Sequence, residues 1–584
     1  MAKVEHFTRE TMRPLIEPFG LCEGVTAGGM LHLSGQTGMD ETHQIVPGGV
    51  KAQALQAFRN IKAVLELAGA RPDDLVQLTW YLAGGPDGRS FMERRHRHHR
   101  RSRGGHARYQ ARRDGGPGQG VADPRDIDRD PGGGGAVTER IADVIVIGAG
   151  CAGLKAAQEV SESGLSVVVL EADERVGGRL KPTEVGGRVV DLGGQWVGSR
   201  HTVLLDQAKA LGIETYQQYA TGKTILKLLG KLTAFSGDTP KMPLLGLLEL
   251  ARLHARWDRD MKTVPAQSPW SAPRAAEWDA QTLETWIDRN LHTASGRAFA
   301  RLAPRGAWAV EASQISYLWF LDALRSSEGL AHLMAVKDGI LDAKFRGGMH
   351  QIAAGTARLL GDRVVLGAPV RKIVQDENGV RAVTDKGDFT ARRVIVAVPP
   401  GPAARIQYEP HLPAARDGLG QRMAMGPVIK AAVVYATPFW REAGFTGQVA
   451  TDDDVVGIVV EDAVEGGAAL LAFIEGPRAL EMSAAGPEGR RTEVIASLVR
   501  FFGPAAANPI GYQDNDWTRE VWTHGYVGTM GPGVMTRYGH ALREPCGRIH
   551  WASTETATEW AGYIEGALRS GIRAAREVVQ AHNR

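Results

Sequence analysis

Three glycines, Gly148, Gly150 and Gly153, followed by an acid at Glu171, are the residues whose spacing most constrains a chemistry in this sequence. A turn stripped of side chains lets an anion come within hydrogen-bonding distance of backbone N–H groups, and a helix start there adds a favourable dipole. A carboxylate about twenty residues further on is placed to accept ribose hydroxyls. The chemistry implied is the holding of a dinucleotide, with its pyrophosphate over Gly148, Ala149, Gly150, Ala152 and Gly153 and its ribose beside Glu171 and Ala172.

Such a loop works only between particular elements. The apolar run Val144 to Ile147 predicts a buried strand entering the glycines, the following residues predict a helix, and Leu165 to Leu170 predicts a second strand ending on the acid. A glycine-rich turn alone occurs in many α/β proteins. The order strand, glycines, helix, strand, acid makes the βαβ reading specific. Immediately downstream, Glu174 to Arg179 reads ERVGGR, which resembles the second fingerprint of the glutathione-reductase-type FAD fold. That resemblance implies FAD rather than NAD, with Gly178 and Arg179 at the pyrophosphate.

Composition places few obstacles in the way of this reading. The chain has 584 residues, 43% of them hydrophobic and 23% charged, which is ordinary for a globular protein of several domains. The best apolar candidate for a membrane span, Met242 to Leu250, is short and contains Pro243, so no membrane association is expected. Residues 1–10 carry no apolar signal core, and Cys22, Cys151 and Cys546 are too scattered for a disulfide framework or a metal site. The cytoplasm is the expected location. The net charge of +3 conceals a run, Phe91 to Arg113, with nine arginines against one glutamate, so that the rest of the chain carries −5.

Ahead of that run, GGMLHLSGQTGMD predicts a strand and turn, Ala52 to Ala68 is apolar at helical spacing, and Leu75 to Leu82 predicts another strand. Ser34-Gly35-Gln36, Asn60 to Leu65, Ala68-Gly69-Ala70 and Asp73 to Val76 resemble the reactive intermediate deaminase (RidA) family of trimeric imine hydrolases. The resemblance covers about the first two thirds of that fold, which implies a partial α+β domain over residues 1–88 and admits a homo-oligomer. After Gly84 no core is expected, because residues 94–116 offer almost nothing apolar to bury. Residues 89–136 read as a basic and glycine-rich linker, as a nucleic-acid arm, or as an out-of-frame translation. One base along, a chosen set of codons for residues 125–135 spells an alternating strand of the missing kind. The nucleic-acid reading is the least favoured, and no nucleic-acid partner is expected.

From Ile141 onward the pattern is continuous. Val190 to Gly198 reads VDLGGQWVG, a stretch in which Gly193, Gly194, Gln195 and Trp196 let backbone approach a ring system. Residues 202–340 are expected to be mostly helical, residues 340–400 return to strands ending in Val398-Pro399-Pro400, and residues 401–510 form a second insertion of mixed type. With the stretch from Gly547 through WASTETATEWAGYIEGA, these motifs resemble the flavin monoamine oxidases over residues 141–580. The resemblance implies an α/β glutathione-reductase-type FAD-binding fold assembled from residues 137–215, 340–400 and 512–584, with an α+β substrate domain from residues 216–339 and 401–511. It places Val370 near the adenine and Glu555 and Ile564 near the flavin, and the last segment, from Trp517, brings the chain back to the cofactor. It makes Tyr526 and Tyr563 the two parallel tyrosines that orient a neutral amine, and puts Arg405 where family members usually carry a lysine holding a water at flavin N5. Gly525 stands where animal members attach FAD through cysteine, so the FAD is expected to be non-covalent, and Ser553 replaces a usual glycine. No metal is implied.

The activity implied is oxidation of an amine by oxygen, with water, to an aldehyde or ketone, ammonia or a smaller amine, and hydrogen peroxide, by way of an imine. An L-amino-acid oxidase is the alternative of the same chemistry and would need an arginine aimed at the substrate carboxylate. A flavoprotein with a non-catalytic N-terminal oligomerisation module is the other.

Overall fold

The computed structural model describes residues 140–582 apart from 238 and 463–467, and in the first 139 residues the segments 5–10, 23–27, 30–33, 49–69, 77–82 and 91–96 with a few residues between them. The chain divides into two compact units, residues 1–128 and 129–584. Ser34 to Gln36, Asp73 to Val76 and the basic stretch beyond His96 as far as residue 136 lie outside the described residues.

In the first unit, strands Glu5–Phe7, Gly24–Ala27 and Met30–Leu33 pair antiparallel in chain order. Helix Gly49–Leu67 buries Ala57, Ile61, Val64 and Leu65 and leaves Leu55, Phe58 and Leu67 exposed, so its apolar stripe is only partly spent. Strand Gln77–Leu82 pairs antiparallel with Phe91–His96. That second strand lies beyond Gly84, in the stretch where no core was expected. A ladder is held by backbone N–H and C=O groups, so it can form over a sequence too charged to signal a core.

The second unit is organised by two sheets. The first runs Val364–Val365, Val167–Leu170, Arg140–Ile147, Gly387–Val396, Val380–Thr384, Val370–Gln375, Gln407–Glu409. Gly387–Val396 is the pivot. Along one edge it runs parallel to Arg140–Ile147, and along the other its first half pairs with Val380–Thr384 and its last residues with Ile549–Trp551. Val144, Val146, Val167 and Val169 are buried beneath helices Cys151–Glu162 and Ile564–His582, which is why these strands read as continuous apolar runs. The two helices approach closely, since a Cβ at Gly571 would lie 2.4 Å from the Ala152 carbonyl oxygen. Segments far apart in sequence thus meet on one sheet.

The second sheet runs Lys231–Phe235, Lys223–Leu228, Phe445–Thr451, Ile458–Asp462, Ala468–Glu475, Val428–Tyr435, Gly511–Asp516. Three expectations shift here. Residues 202–340 are not helical throughout, because Lys223–Leu228 and Lys231–Phe235 form a hairpin. Its two-residue turn, Leu229 and Gly230, has φ of 51° and 73°, the left-handed pair that matches strand twist. A leucine in that turn hid the signal. Gly511–Asp516 pairs with Val428–Tyr435 and belongs to this sheet, slightly past the boundary read at 512. Gln407–Glu409, read as part of the insertion after residue 400, pairs instead with Val370–Gln375 of the first sheet. The remaining inserted residues, from Leu244 to Met334, are helical and bury Trp257, Trp278, Trp286, Trp308 and Phe320 in one cluster. No helix among the described residues is long and apolar enough to cross a membrane.

Candidate functional site

A cavity of about 1740 Å³ opens between the carboxyl ends of the first sheet's strands and the inner face of the second. Pockets for a single small ligand are commonly about 300–1000 Å³, so this one has room for a dinucleotide and a substrate together.

At one end the glycine loop is built as its spacing requires. Gly148 has φ of +99°, and a Cβ at Gly153 would lie 1.9 Å from the Gly148 carbonyl oxygen, so the helix can sit on the turn only without a side chain there. A Cβ at Gly150 would meet nothing within 4 Å, which leaves the helix start open to the cavity. Gly148, Gly150, Cys151 and Ala152 line the cavity. Ala149 and Gly153 do not, and act behind it. The Ala149 N–H donates to Glu171 Oε2 at 2.6 Å and the Asp173 N–H donates to Oε1 at 2.9 Å. Burial pushes the Glu171 carboxyl up while those two N–H groups pull it back. Glu171 therefore braces the loop and also lines the cavity, with Ala172 beside it in the wall.

Gly178 and Arg179 also reach the cavity. Arg179 is tethered from behind: its guanidinium donates to Glu555 at 2.7 and 3.2 Å and to the Tyr526 carbonyl oxygen at 2.6 Å. Glu555, expected near the flavin, stands directly behind this wall. Its buried carboxylate does not line the cavity but orients the arginine that does. Arg175, which the motif contains but the spacing did not single out, lines the wall with its N–H groups on the Leu180 and Gly178 carbonyl oxygens.

Midway along, Gly193, Gly194, Gln195 and Trp196 form a platform, where a Cβ at Gly194 would lie 3.2 Å from Ile564 Cδ1 and where Trp517 is anchored by its Nε1–H to the Leu192 carbonyl oxygen at 2.9 Å. Val370 lines the wall as well. Beneath the platform lies a residue that sequence reasoning missed. Lys430 Nζ donates to the Gly193 carbonyl oxygen at 2.8 Å and to Gln195 Oε1, and sits 5.3 Å from the Trp196 ring and 5.4 Å from that of Phe473. Burial lowers its ammonium, and Asp191 and Asp462 push the other way. Arg405 also borders the cavity but is an exposed side chain bonded to the His524 ring, so it does not reach the platform. Arg405, expected to stand in for a lysine, lies elsewhere in the wall, and the cation beneath the platform is Lys430 of the strand Val428–Tyr435. The one signal available was a lysine inside an otherwise apolar strand.

Tyr526 and Tyr563 border the same cavity. Tyr526 keeps 37% of its surface accessible, and that surface faces the cavity. Burial raises both phenols, and the Tyr563 phenol is raised further by the proximity of Tyr526. The loop carrying Tyr563 is tied by Thr554, whose Oγ1 donates to the Tyr563 carbonyl oxygen at 2.7 Å and accepts the Gly562 N–H at 2.8 Å. Ser553 is buried in the wall, its N–H bonded to Thr556 Oγ1 at 3.1 Å. At Gly525, φ is +142° and a Cβ would lie 2.8 Å from both the Gly426 carbonyl oxygen and Met425 Cβ, so no side chain fits there.

Residues 151–579 match the family model described as flavin containing amine oxidoreductase. Residues 17–112 match the model described as endoribonuclease L-PSP, a match that spans the RidA-like segment and continues into the basic run. The chain is 37% identical over 447 residues to the flavin-containing amine oxidase of Oncorhynchus mykiss, covering 75% of this chain and 85% of that one. Among solved structures, it is similar to a putrescine oxidase bound to putrescine, at 34% identity and a TM-score of 0.73 over 75% of this chain and 99% of that one. Cyclohexylamine oxidase from Brevibacterium oxydans is similar at 32% identity and a TM-score of 0.73, over 76% of this chain and all of the other.

Proposed function

The chain belongs to the flavin-containing amine oxidoreductase family and is an FAD-dependent amine oxidase, and from that premise we propose how its cavity divides the work. The glycine loop, Glu171 and Arg179 take the dinucleotide end of FAD, Val370 the adenine, and Gly193 to Trp196 with Ile564 and Trp517 the ring system. Lys430 supplies the ordered donor at the platform that the resemblance had put at Arg405. Tyr526 and Tyr563 receive the amine.

When bound, FAD takes up the hydride equivalent that leaves the carbon next to the amine nitrogen, and oxygen carries the two electrons away as hydrogen peroxide. The chain's own part is orientation and exclusion. Burial makes the phenols weaker acids, so they do not protonate the incoming nitrogen and its lone pair stays free to assist departure of the hydride. Two rings closing a slot keep water from the reacting carbon, and water then hydrolyses the imine product to a carbonyl compound and ammonia or a smaller amine. The observation that carries this reading is that both tyrosines border the one cavity that also takes in the glycine loop and the Lys430 platform.

Non-covalent attachment of the FAD is supported by the missing sulfur at Gly525 and by the lack of space for any side chain there. The nearest alternative sulfur, Cys151, is buried, which pushes its thiol up to about 12 and leaves it a poor nucleophile. The amino-acid oxidase reading finds no support in the wall. Its arginines are already occupied: Arg175 by carbonyl oxygens, Arg179 by Glu555, Arg371 by Asp385 and Arg405 by His524. The wider assignment is a cytoplasmic enzyme acting on small amines.

The test is anaerobic mixing of the purified protein with amines, followed by admission of oxygen. Bleaching of the flavin by amines and release of peroxide on reoxidation are expected. A flavin that no amine reduces overturns the reading.

A further inference from the structure

The substrate end of the cavity is walled by apolar side chains, among them Val428, Ile458, Val460 and Phe473, and by one acid that the mechanism above does not use. Glu475 ends the strand Ala468–Glu475, lines the cavity, and retains only 4% of its surface. Its Oε2 has no hydrogen-bond partner among the described residues. Buried polar groups are almost always partnered, so an orphaned carboxyl oxygen calls for an explanation.

The surroundings make room for this acid without neutralising it. On the neighbouring strand segment, a Cβ at Gly457 would lie 2.3 Å from Glu475 Oε2. Gly457 has no left-handed backbone to accommodate, so the space it leaves is what its lack of a side chain provides. The nearby cation, Arg305, donates to both oxygens of Glu311 at 3.1 and 3.0 Å and to the Asp452 carbonyl oxygen at 3.1 Å, which leaves it pulling on Glu475 only from a distance. Glu311 pushes the opposite way, and burial holds the Glu475 carboxyl well above the ordinary range. The Tyr526 phenol is raised in part by Glu475, so the acid and one wall of the amine slot act on the same space. A cation arriving through the cavity would find an acceptor already desolvated and unspent.

We propose that Glu475 is the specificity-determining residue of the oxidase and receives a second, cationic nitrogen of the substrate, so that the preferred substrates are diamines or other amines carrying a distant ammonium. This rests on the amine oxidase reading. One nitrogen enters the tyrosine slot neutral, and the other stays protonated and pairs with the Glu475 carboxylate. Where the acid was protonated in the empty cavity, its proton passes to solvent as the ammonium binds.

The experiment uses the full-length FAD-loaded protein and follows anaerobic flavin reduction by α,ω-diaminoalkanes and by n-alkylamines of matching chain length. Wild type is expected to favour the diamines. Glu475→Gln, which keeps the shape and removes the charge, should lower kcat/KM for diamines on the order of a hundredfold, mainly through KM, and leave the n-alkylamines within about threefold. Glu475→Asp withdraws the carboxylate by one methylene and should restore part of the diamine rate while moving the optimum to a longer chain. If Glu475→Gln fails to load FAD, the aspartate variant decides alone. Equal reduction by diamines and monoamines in wild type, parallel loss of both in Glu475→Gln, or an unmoved chain-length optimum in Glu475→Asp overturns the proposal and leaves the oxidase reading standing. A wild-type flavin that no amine reduces overturns both.

Discussion

The two ends of the cavity are made of different material. The dinucleotide end is backbone: Gly148 and Gly150 open a turn, Gly153 lets a helix rest on it, and Glu171 locks it by accepting two N–H groups. The substrate end is side chains, Tyr526, Tyr563, Phe473 and Ile458, presented by a sheet and loops gathered from distant parts of the chain. Backbone surfaces tolerate almost no insertion of atoms, while side-chain surfaces can be reshaped one residue at a time.

The largest effect should come from breaking the backbone end. Gly153→Ala puts a Cβ 1.9 Å from the Gly148 carbonyl oxygen, so helix and turn must separate. We expect a loss of about 4 kcal/mol or more in FAD binding or fold stability, read as apoprotein on purification and a lowered melting temperature. A holoprotein of normal stability would show that the loop is less tightly built than its geometry implies.

The substrate end should break differently. On the proposed assignment, Tyr526→Ala and Tyr563→Ala remove a wall that orients the amine and excludes water, and misplacement by about 1 Å can cost on the order of a hundredfold in rate. That loss should appear in single-turnover flavin reduction while FAD content and melting temperature change far less, and phenylalanine at either position should cost little. Two alanine variants that reduce their flavin at the wild-type rate would remove both tyrosines from the mechanism. Variants that lose FAD or unfold would make them core residues and erase the contrast between the two ends.

The same contrast explains what could be read from the sequence. Gly148, Gly150, Gly153 and Glu171 stand at spacings fixed by one turn and one helix, so the motif and its fold were legible together. Tyr526 and Tyr563 were reached only through family resemblance, because no local spacing joins two residues from separate loops. Lys430 and Glu475 gave only a faint signal. Each is a single charge in an apolar strand, and its meaning depends on Gln195 or Gly457, which only the tertiary fold brings alongside. The Lys223–Phe235 hairpin was missed because its left-handed turn carries Leu229 where glycine or asparagine would have announced it.

Glu171→Ala probes the backbone end more gently. It removes the acceptor for the Ala149 and Asp173 N–H groups and for the ribose hydroxyls, leaving buried donors unpaired at a cost of about 1–3 kcal/mol. The FAD dissociation constant should rise accordingly, with the rate of flavin reduction at saturating FAD little changed. An unchanged dissociation constant would mean that the acid braces nothing the cofactor feels.

The smallest effect is expected from the largest deletion. Every residue lining the cavity lies between Ile147 and Ala567, and the first strand of the cofactor sheet begins at Arg140. Residues 1–128 form a compact unit of their own, and units with separate cores keep their separate activities when divided at the linker. Removing residues 1–136 is expected to leave FAD binding and anaerobic flavin reduction within about twofold of the full chain. The measurement is made on both proteins with the same amine and normalised to bound flavin, so that a loss of yield is not mistaken for a loss of rate. A folded, FAD-loaded truncate that no longer oxidises amines would show that the substrate end depends on the N-terminal unit, and that the division between backbone and side-chain construction does not account for the whole site.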